Sequence, residues 1–251
     1  MNELTTAIIS RGVGVMKLSI LCCFTLMALA FSYTNNEKAG KKRQEPTKQS
    51  IRLFPIELRG KWGYIDETGK MVIEPRFGRA ENFSEGLAPV KIDNKYGYID
   101  ASGKIVIEPR FESAFGFSEG LAPATTADLT NDSKYGYINT KGEMVIEPKF
   151  DFVKAFREGL ASVTIGNWMT GKQGYIDKTG KMVIEPRFNF AVEFSEGLAQ
   201  VAMRDQGPEK WGYINKKGDV VIGLQFDFAG DFSDGLAPIK IGEKWGYIDT
   251  T

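Results

Sequence analysis

Short apolar runs alternate with glycine-, aspartate- and lysine-rich breaks from Leu53 almost to the end of the chain. The clearest set reads Leu87-Ala-Pro-Val-Lys-Ile92, Lys95-Tyr-Gly-Tyr-Ile-Asp100 and Ile105-Val-Ile-Glu-Pro-Arg-Phe111. Runs this short, rich in Val, Ile, Tyr and Phe and bounded by turn formers, predict three strands, here called A, B and C. No stretch of this region sustains a helical apolar stripe long enough to compete.

The middle run returns six times: Trp62-Gly-Tyr-Ile-Asp66, Tyr96-Gly-Tyr-Ile-Asp100, Tyr135-Gly-Tyr-Ile-Asn139, Gln173-Gly-Tyr-Ile-Asp177, Trp211-Gly-Tyr-Ile-Asn215 and Trp245-Gly-Tyr-Ile-Asp249. The starts lie roughly 34 to 39 residues apart, a period that marks repeat architectures. A unit so short cannot bury a core alone and needs its neighbours. The expected fold is therefore all-β: tandem three-stranded antiparallel meanders, arranged as a β-propeller-like or an open superhelical stack.

The B–C connection carries its own signal. Asp66-Glu-Thr-Gly69 recurs with Gly103, Gly142, Gly180 and Gly218 in the fourth position. Asp or Asn opens a type I turn by accepting from the backbone ahead of it, and the glycine closes a bulged hairpin. Strands B and C are thus antiparallel neighbours. Proline falls in strand A (Pro55, Pro89, Pro123, Pro238) and near the end of strand C (Pro75, Pro109, Pro148, Pro186), never in B. Because proline lacks a ladder N–H, B is expected in the middle, with Trp62, Tyr64 and Asp66 on one face. Gly63, on the other face, marks a close approach by a neighbouring group. Phe77, Ala80 and Phe83 read as one tight turn after strand C, and Gly86 as a positive-φ residue leading into the next strand A. Five full units and a partial one, which stops after strand B, fill residues 51–251.

The N-terminal part has a different pattern. Leu18 to Phe31 is an uncharged apolar run preceded by Lys17, with the length of a signal-peptide core. Ala28-Leu-Ala30 offers a cleavage site after Ala30, and Met16 is a candidate true start. Residues 1–30 are read as a signal peptide or, given Lys38, Lys41, Lys42 and Arg43 behind them, as a retained anchor. Residues 31–50 are polar and read as a flexible linker. Export, with a periplasmic, secreted or membrane-anchored product, is the expectation.

Composition narrows the chemistry. Lys plus Arg and Asp plus Glu each number 32, so no global field draws the chain to nucleic acid. Histidine is absent, and both cysteines, Cys22 and Cys23, precede the array. The commonest general base, the commonest zinc ligand and a cysteine nucleophile are thereby excluded from the repeats. No catalytic residue, metal or cofactor is assigned.

The wording Lys-Trp/Tyr-Gly-Tyr-Ile-Asp-x-x-Gly-Lys-x-Val-Ile-Glu-Pro-x-Phe, followed by Phe-Ser-Glu-Gly-Leu-Ala, resembles the bacterial WG repeat, also called the KWG repeat. The resemblance covers nearly everything from about residue 52 onward. It implies a β-repeat protein, often exported, that serves as an interaction module. Gln173 departs from the pattern where Trp or Tyr belongs, so packing around it is expected to differ.

Candidate sites follow from what recurs and what does not. The glutamates of Phe-Ser-Glu-Gly (Glu85, Glu119, Glu158, Glu196) and of Glu-Pro-Arg/Lys (Glu74, Glu108, Glu147, Glu185) could form a glycosidase pair. Their return in every unit favours structural roles, with Arg76, Arg110, Lys149 and Arg187 as neighbouring partners. The rings Trp62, Tyr96, Tyr135, Trp211 and Trp245 could stack on sugars or bases, but their tie to every hairpin favours inter-repeat packing. The A–B loops lengthen in three successive units, around Thr125–Ser133, Gly166–Lys172 and Arg204–Glu209, and insertions on one face mark a binding surface. Candidate binding residues there are Asp128, Asn131, Asp132, Asn167, Trp168, Arg204 and Asp205. Trp168 is either an exposed anchor or a filler of the space left by Gln173. The favoured function is a non-catalytic binding or scaffold module at the cell envelope, with a protein or glycan partner. The alternative is an envelope hydrolase using loop acids such as Asp128, Asp132, Asp205 and Glu209. Membrane contact is expected only through a retained N-terminal segment.

Overall fold

The computed structural model describes residues 52–126, 133–167, 170–204 and 207–250. The expected leader (1–30) and linker (31–50) lie outside them. Every regular element described is a strand, gathered into six separate antiparallel sheets. The first sheet holds β1 (Leu53–Leu58), β2 (Lys61–Asp66) and β3 (Met71–Phe77) in that order. The second holds β4 (Arg79–Ala80), β5 (Leu87–Ile92), β6 (Lys95–Asp100) and β7 (Ile105–Phe111). Three further sheets repeat the four-strand order, and the last has three, Phe228–Ala229, Ala237–Ile241 and Lys244–Ile248.

Strand B is central, as its freedom from proline predicts: β6 pairs with β5 on one side and β7 on the other. The meander gains a fourth member where a single tight turn was expected. Arg79 and Ala80 pair with Lys91 and Val90, so the chain adds a two-residue strand D to the next unit before entering its strand A. The period-three spacing of Phe77, Ala80 and Phe83 misleads because it spans a strand and a bend rather than a helical turn.

The B–C ladder explains why Gly63, Gly97, Gly136 and Gly174 on strand B each face a proline of strand C. Between the pairs Tyr96↔Phe111 and Tyr98↔Ile107, strand C spends four steps against two on strand B. The surplus bulges at Glu108-Pro109-Arg110, where a missing N–H costs no ladder bond. Pro109 therefore sits inside strand C at a bulge, not at its end. Gly97 lies beneath that bulge: a Cβ there would stand 2.5 Å from the Ile107 carbonyl oxygen and 2.8 Å from the Pro109 nitrogen.

Both hairpin signals hold. Asp100 Oδ1 accepts from the backbone N–H groups of Ser102 (2.9 Å) and Lys104 (3.1 Å), and Gly103 closes the turn at φ +84°. At the D–A turn, Glu85 and Gly86 both have positive φ, 51° and 81°, and Ser84 and Leu87 exchange backbone bonds. That is the two-residue, right-twisting hairpin whose first centre tolerates a non-glycine residue at modest cost.

The core lies between sheets. Leu87, Tyr98, Ile107 and Phe111 of one unit meet Ala122, Ala124 and Ile138 of the next. The same exchange joins Tyr64 to Ile99, Tyr137 to Ile176, and Tyr175 to Ile214. Strand B is thus apolar on both faces, its tyrosine turned to the following unit and its isoleucine to the preceding one. Tyr98 is fully buried, while Tyr247, its counterpart in the last sheet, is 74% exposed. Burying each such side chain contributes about 1.5–3 kcal/mol, and the neighbouring unit is what supplies the burial.

Candidate functional site

The two ends of the sheets differ in chemistry. One end gathers the B–C and D–A turns, and there the polar groups of the repeat are spent on joining units. Arg76, Arg110 and Arg187 donate to the carbonyl oxygens of Gly103, Gly142 and Gly218, at 2.5, 2.6 and 2.5 Å. Lys149 reaches Gly180 more weakly, at 3.3 Å. These cations were expected to pair with the adjacent glutamates. They instead bond the next turn, because the bulge aims residue 110 and its equivalents across the interface.

The Phe-Ser-Glu-Gly residues act in the same way. Glu85 accepts from the Gly120 N–H at 2.9 Å, Glu119 from Gly159 at 3.0 Å and Glu158 from Gly197 at 3.0 Å. Lys178 adds an ion pair to Glu119, and Lys216 to Glu158, both at 3.0 Å. Burial pushes the Glu119 carboxyl up, but Lys178 and the Gly159 N–H outweigh it and hold the group below its usual range. Ser84 and Ser118 donate to the carbonyl oxygens of Phe117 and Phe156, each at 2.7 Å. These carboxylates are structural ties, as their recurrence implies.

The opposite end carries the A–B loops, and rings line it. The second aromatic of the repeat phrase fills the inter-unit core, whereas the first lies at its rim. Trp62, Tyr96, Tyr135 and Trp211 are half-buried, and Trp245 is 62% exposed. Trp62, Tyr96, Tyr135 and Trp211 pack against the inter-unit clusters from this rim, where strand B reaches the loop end and no following sheet covers them fully. Strand D adds Phe152, Phe190 and Phe228, all exposed, and Phe115 follows the strand D of its own unit. Tyr135 lies 6.2 Å from Phe115 and 6.4 Å from Phe152. Trp211 lies 5.9 Å from Phe190 and 6.4 Å from Phe228, which in turn is 5.4 Å from Trp245. The repeated Phe-x-Phe of Phe150–Phe152, Phe188–Phe190 and Phe226–Phe228 is the signal that sequence reading missed: the first ring ends strand C in the core, and the second opens strand D of the next sheet on the exposed side.

Gln173 interrupts this row. Its Oε1 accepts from the Ala191 N–H at 2.6 Å, so a polar side chain occupies the station between Phe152 and Phe190. A cleft of about 430 Å³ opens there, bounded also by Asn189, Arg204 and Glu209. The loops at its mouth are pinned from below. Asp151 accepts from Lys134 and, at 2.9 Å, from the Gly166 N–H. Asn189 accepts from Lys172 at 3.1 Å and from the Arg204 N–H at 2.9 Å. Burial raises the Asp151 carboxyl, yet Lys134 and the Gly166 N–H prevail and keep it ionised below the ordinary range.

Two sequence-predicted site residues border this region: exposed Asn167, whose Oδ1 accepts from the Thr170 N–H at 2.8 Å, and exposed Arg204. Asp128, Asn131, Asp132, Trp168 and Asp205 lie outside the described residues. Among the described residues, no group of three or more Asp, Glu, His or Cys is placed to hold a metal ion.

Comparison with known proteins places this architecture in a class of β-repeat arrays. The model of the WG containing repeat matches residues 62–96, 96–127, 135–167, 174–205 and 211–245, and the chain belongs to that family. No curated protein matches it. Among solved structures it is similar to a protein assigned as TolB from Agrobacterium tumefaciens, at 9% identity and a TM-score of 0.41. That similarity covers 63% of this chain and 67% of the other.

Proposed function

We propose that this chain is a non-catalytic binding or scaffold module that presents its A–B-loop end to a protein or glycan partner at the cell envelope. The observation that carries the reading is the cleft at Gln173, where the repeat breaks, exposed rings flank the gap and two lengthened loops meet. Concave sites with apolar walls and a few convergent polar groups are the usual form of a binding site. The turn end argues the same way from the other side, since its polar groups are engaged between units. An envelope location rests on the apolar run from Leu18 to Phe31 and is checked by fractionating cells that express the whole chain.

A hydrolase reading needs two carboxylates free to act at a controlled separation. Among the described residues lining the cleft, Asp151 and Glu209 are the carboxylates, and Asp151 is tied to Lys134 and the Gly166 N–H. The test is retention of envelope material by the whole chain against a variant with the 166–171 and 204–209 loops shortened. Loss of retention on shortening, with no turnover, supports the module. Turnover of any envelope polymer that Glu209→Gln abolishes would sink it.

A further inference from the structure

Among the described residues, the row of rings at the loop end has one strand B station that holds no ring. Tyr135 stands between Phe115 and Phe152, and Trp211 between Phe190 and Phe228, each within 6.4 Å of both neighbours. The equivalent station between Phe152 and Phe190 belongs to Gln173, and the cleft of about 430 Å³ opens over it. Phe152 and Phe190 are 50% and 49% exposed, so ring surface is available on either side. We infer that this cleft takes the pyranose ring of a neutral glycan, which lies where a side-chain ring lies in the neighbouring units.

The choice of ligand, which rests on the binding-module reading, follows from the lining. A pyranose has apolar C–H faces and a polar hydroxyl edge, so it suits two aromatic walls with hydrogen-bonding groups at the base and mouth. Gln173, Arg204 and Glu209 each end in a planar, two-headed group, the shape that meets a pair of adjacent hydroxyls. The Gln173 Oε1 is engaged by the Ala191 N–H, which turns its amide N–H₂ to other partners.

Charge argues against a strongly charged sugar. Among the described residues, Asp151 and Glu209 stand with Lys134, Lys172 and Arg204, which leaves no strong field of either sign. A nucleobase would also stack, but a nucleic acid strand needs a basic track for its phosphates, and Asp151 and Glu209 stand where that track would run. An apolar protein side chain would fill the gap while burying the Gln173 amide without a partner, at a cost.

The test compares the whole wild-type chain with Gln173→Trp and Gln173→Tyr, which put the family's ring into the gap. The probes are cello-, malto-, xylo- and chito-oligosaccharides, measured by affinity electrophoresis and titration calorimetry, with oligothymidylate beside them. The inference expects wild type to bind at least one of these sugars and both variants to bind it about tenfold more weakly or worse. Both variants should unfold at the wild-type temperature or above, which separates a filled site from a damaged fold. Binding to none of the sugars, equal binding by the variants, or binding of oligothymidylate alone overturns it. If the sugars fail while Gln173→Trp releases a protein partner held by wild type, the glycan assignment falls and the binding module stands. If Gln173→Trp changes neither, both fall.

Discussion

The phenol of Tyr98 donates to the backbone carbonyl oxygen of Phe115 at 2.8 Å, and its ring lies 4.9 Å from that of Phe117. One side chain thus joins strand B to the segment that crosses to the next unit. Tyr64, Tyr137, Tyr175 and Tyr213 make the same bond, to Glu81, Lys154, Val192 and Gly230. Tyr98→Phe keeps the ring and leaves the Phe115 carbonyl without its donor. The expected cost is about 1 kcal/mol, read from the midpoint of urea unfolding with an unchanged slope.

Alkaline pH should act on these same phenols. Burial raises them all, Tyr213 to about 12 and the other four further. A raised acid is protonated in the fold while the unfolded chain ionises near pH 10. The stabilisation is complete below that pH and falls away as pH climbs through the folded values. Thermal unfolding between pH 8 and 12 should show the melting temperature holding to about pH 10 and then dropping, with phenolate absorbance rising as the chain unfolds. The chain holds nine tyrosines and five are these buried ones, so the amplitude is the readout: phenolate absorbance near pH 10 that equals that of the unfolded chain while the fold is intact would contradict the buried phenols.

Acid works through the opposite sign. Glu119, Asp151 and Asp100 are held below their ordinary values, so the stability they contribute is present above the unfolded carboxylate range and lost beneath it. For Asp100, the leading cause is the hydroxyl of Ser102. Unfolding should become easier below about pH 4.5, and Glu119→Gln should flatten that dependence while lowering stability at neutral pH.

Much of this was legible in the residues, and the exceptions have physical causes. The central place of strand B, the Asp-x-x-Gly hairpins and the all-β stack follow from proline placement and turn chemistry, which act within a few residues. Strand D was not legible, because two residues carry no periodicity and the pairing of Arg79 and Ala80 with Lys91 and Val90 is made by the backbone. The partners of Arg110 and Glu119 were misassigned or unassigned because both bond a different unit, about one repeat away along the chain. At the site, the lengthened loops and the oddity of Gln173 were readable. The cleft itself was not, since it depends on Phe152 and Phe190 arriving from two other strands.

Gly97→Ala tests the bulge. The new methyl would meet backbone atoms of Ile107 and Pro109 that are fixed by the ladder and cannot swing aside. Destabilisation of about 3 kcal/mol is expected, at the upper end for overpacked cores. A change within about 0.5 kcal/mol would mean that the bulge gives way and the geometry is wrong.

Arg157→Ser probes a defect in the array. Ser84, Ser118 and Ser195 each tie their turn to a phenylalanine carbonyl in the next unit, whereas Arg157 stands in the serine position of its own turn. Restoring the hydroxyl should place a bond on the Phe194 carbonyl and raise stability by about 0.5–1 kcal/mol in chemical denaturation.

Units are joined at the turn end, and the proposed binding module receives its partner at the loop end. The most direct measurement is retention of isolated cell envelopes by the whole chain carrying substitutions at one end or the other. Phe190→Ala with Arg204→Ala alters the loop end beside Gln173; Lys141→Ala with Lys217→Ala alters exposed turn residues whose backbone N–H groups alone bond their turns. The loop-end pair should abolish retention, and the turn-end pair should retain like wild type. Retention that survives the first pair and is lost with the second would contradict this assignment of the two ends.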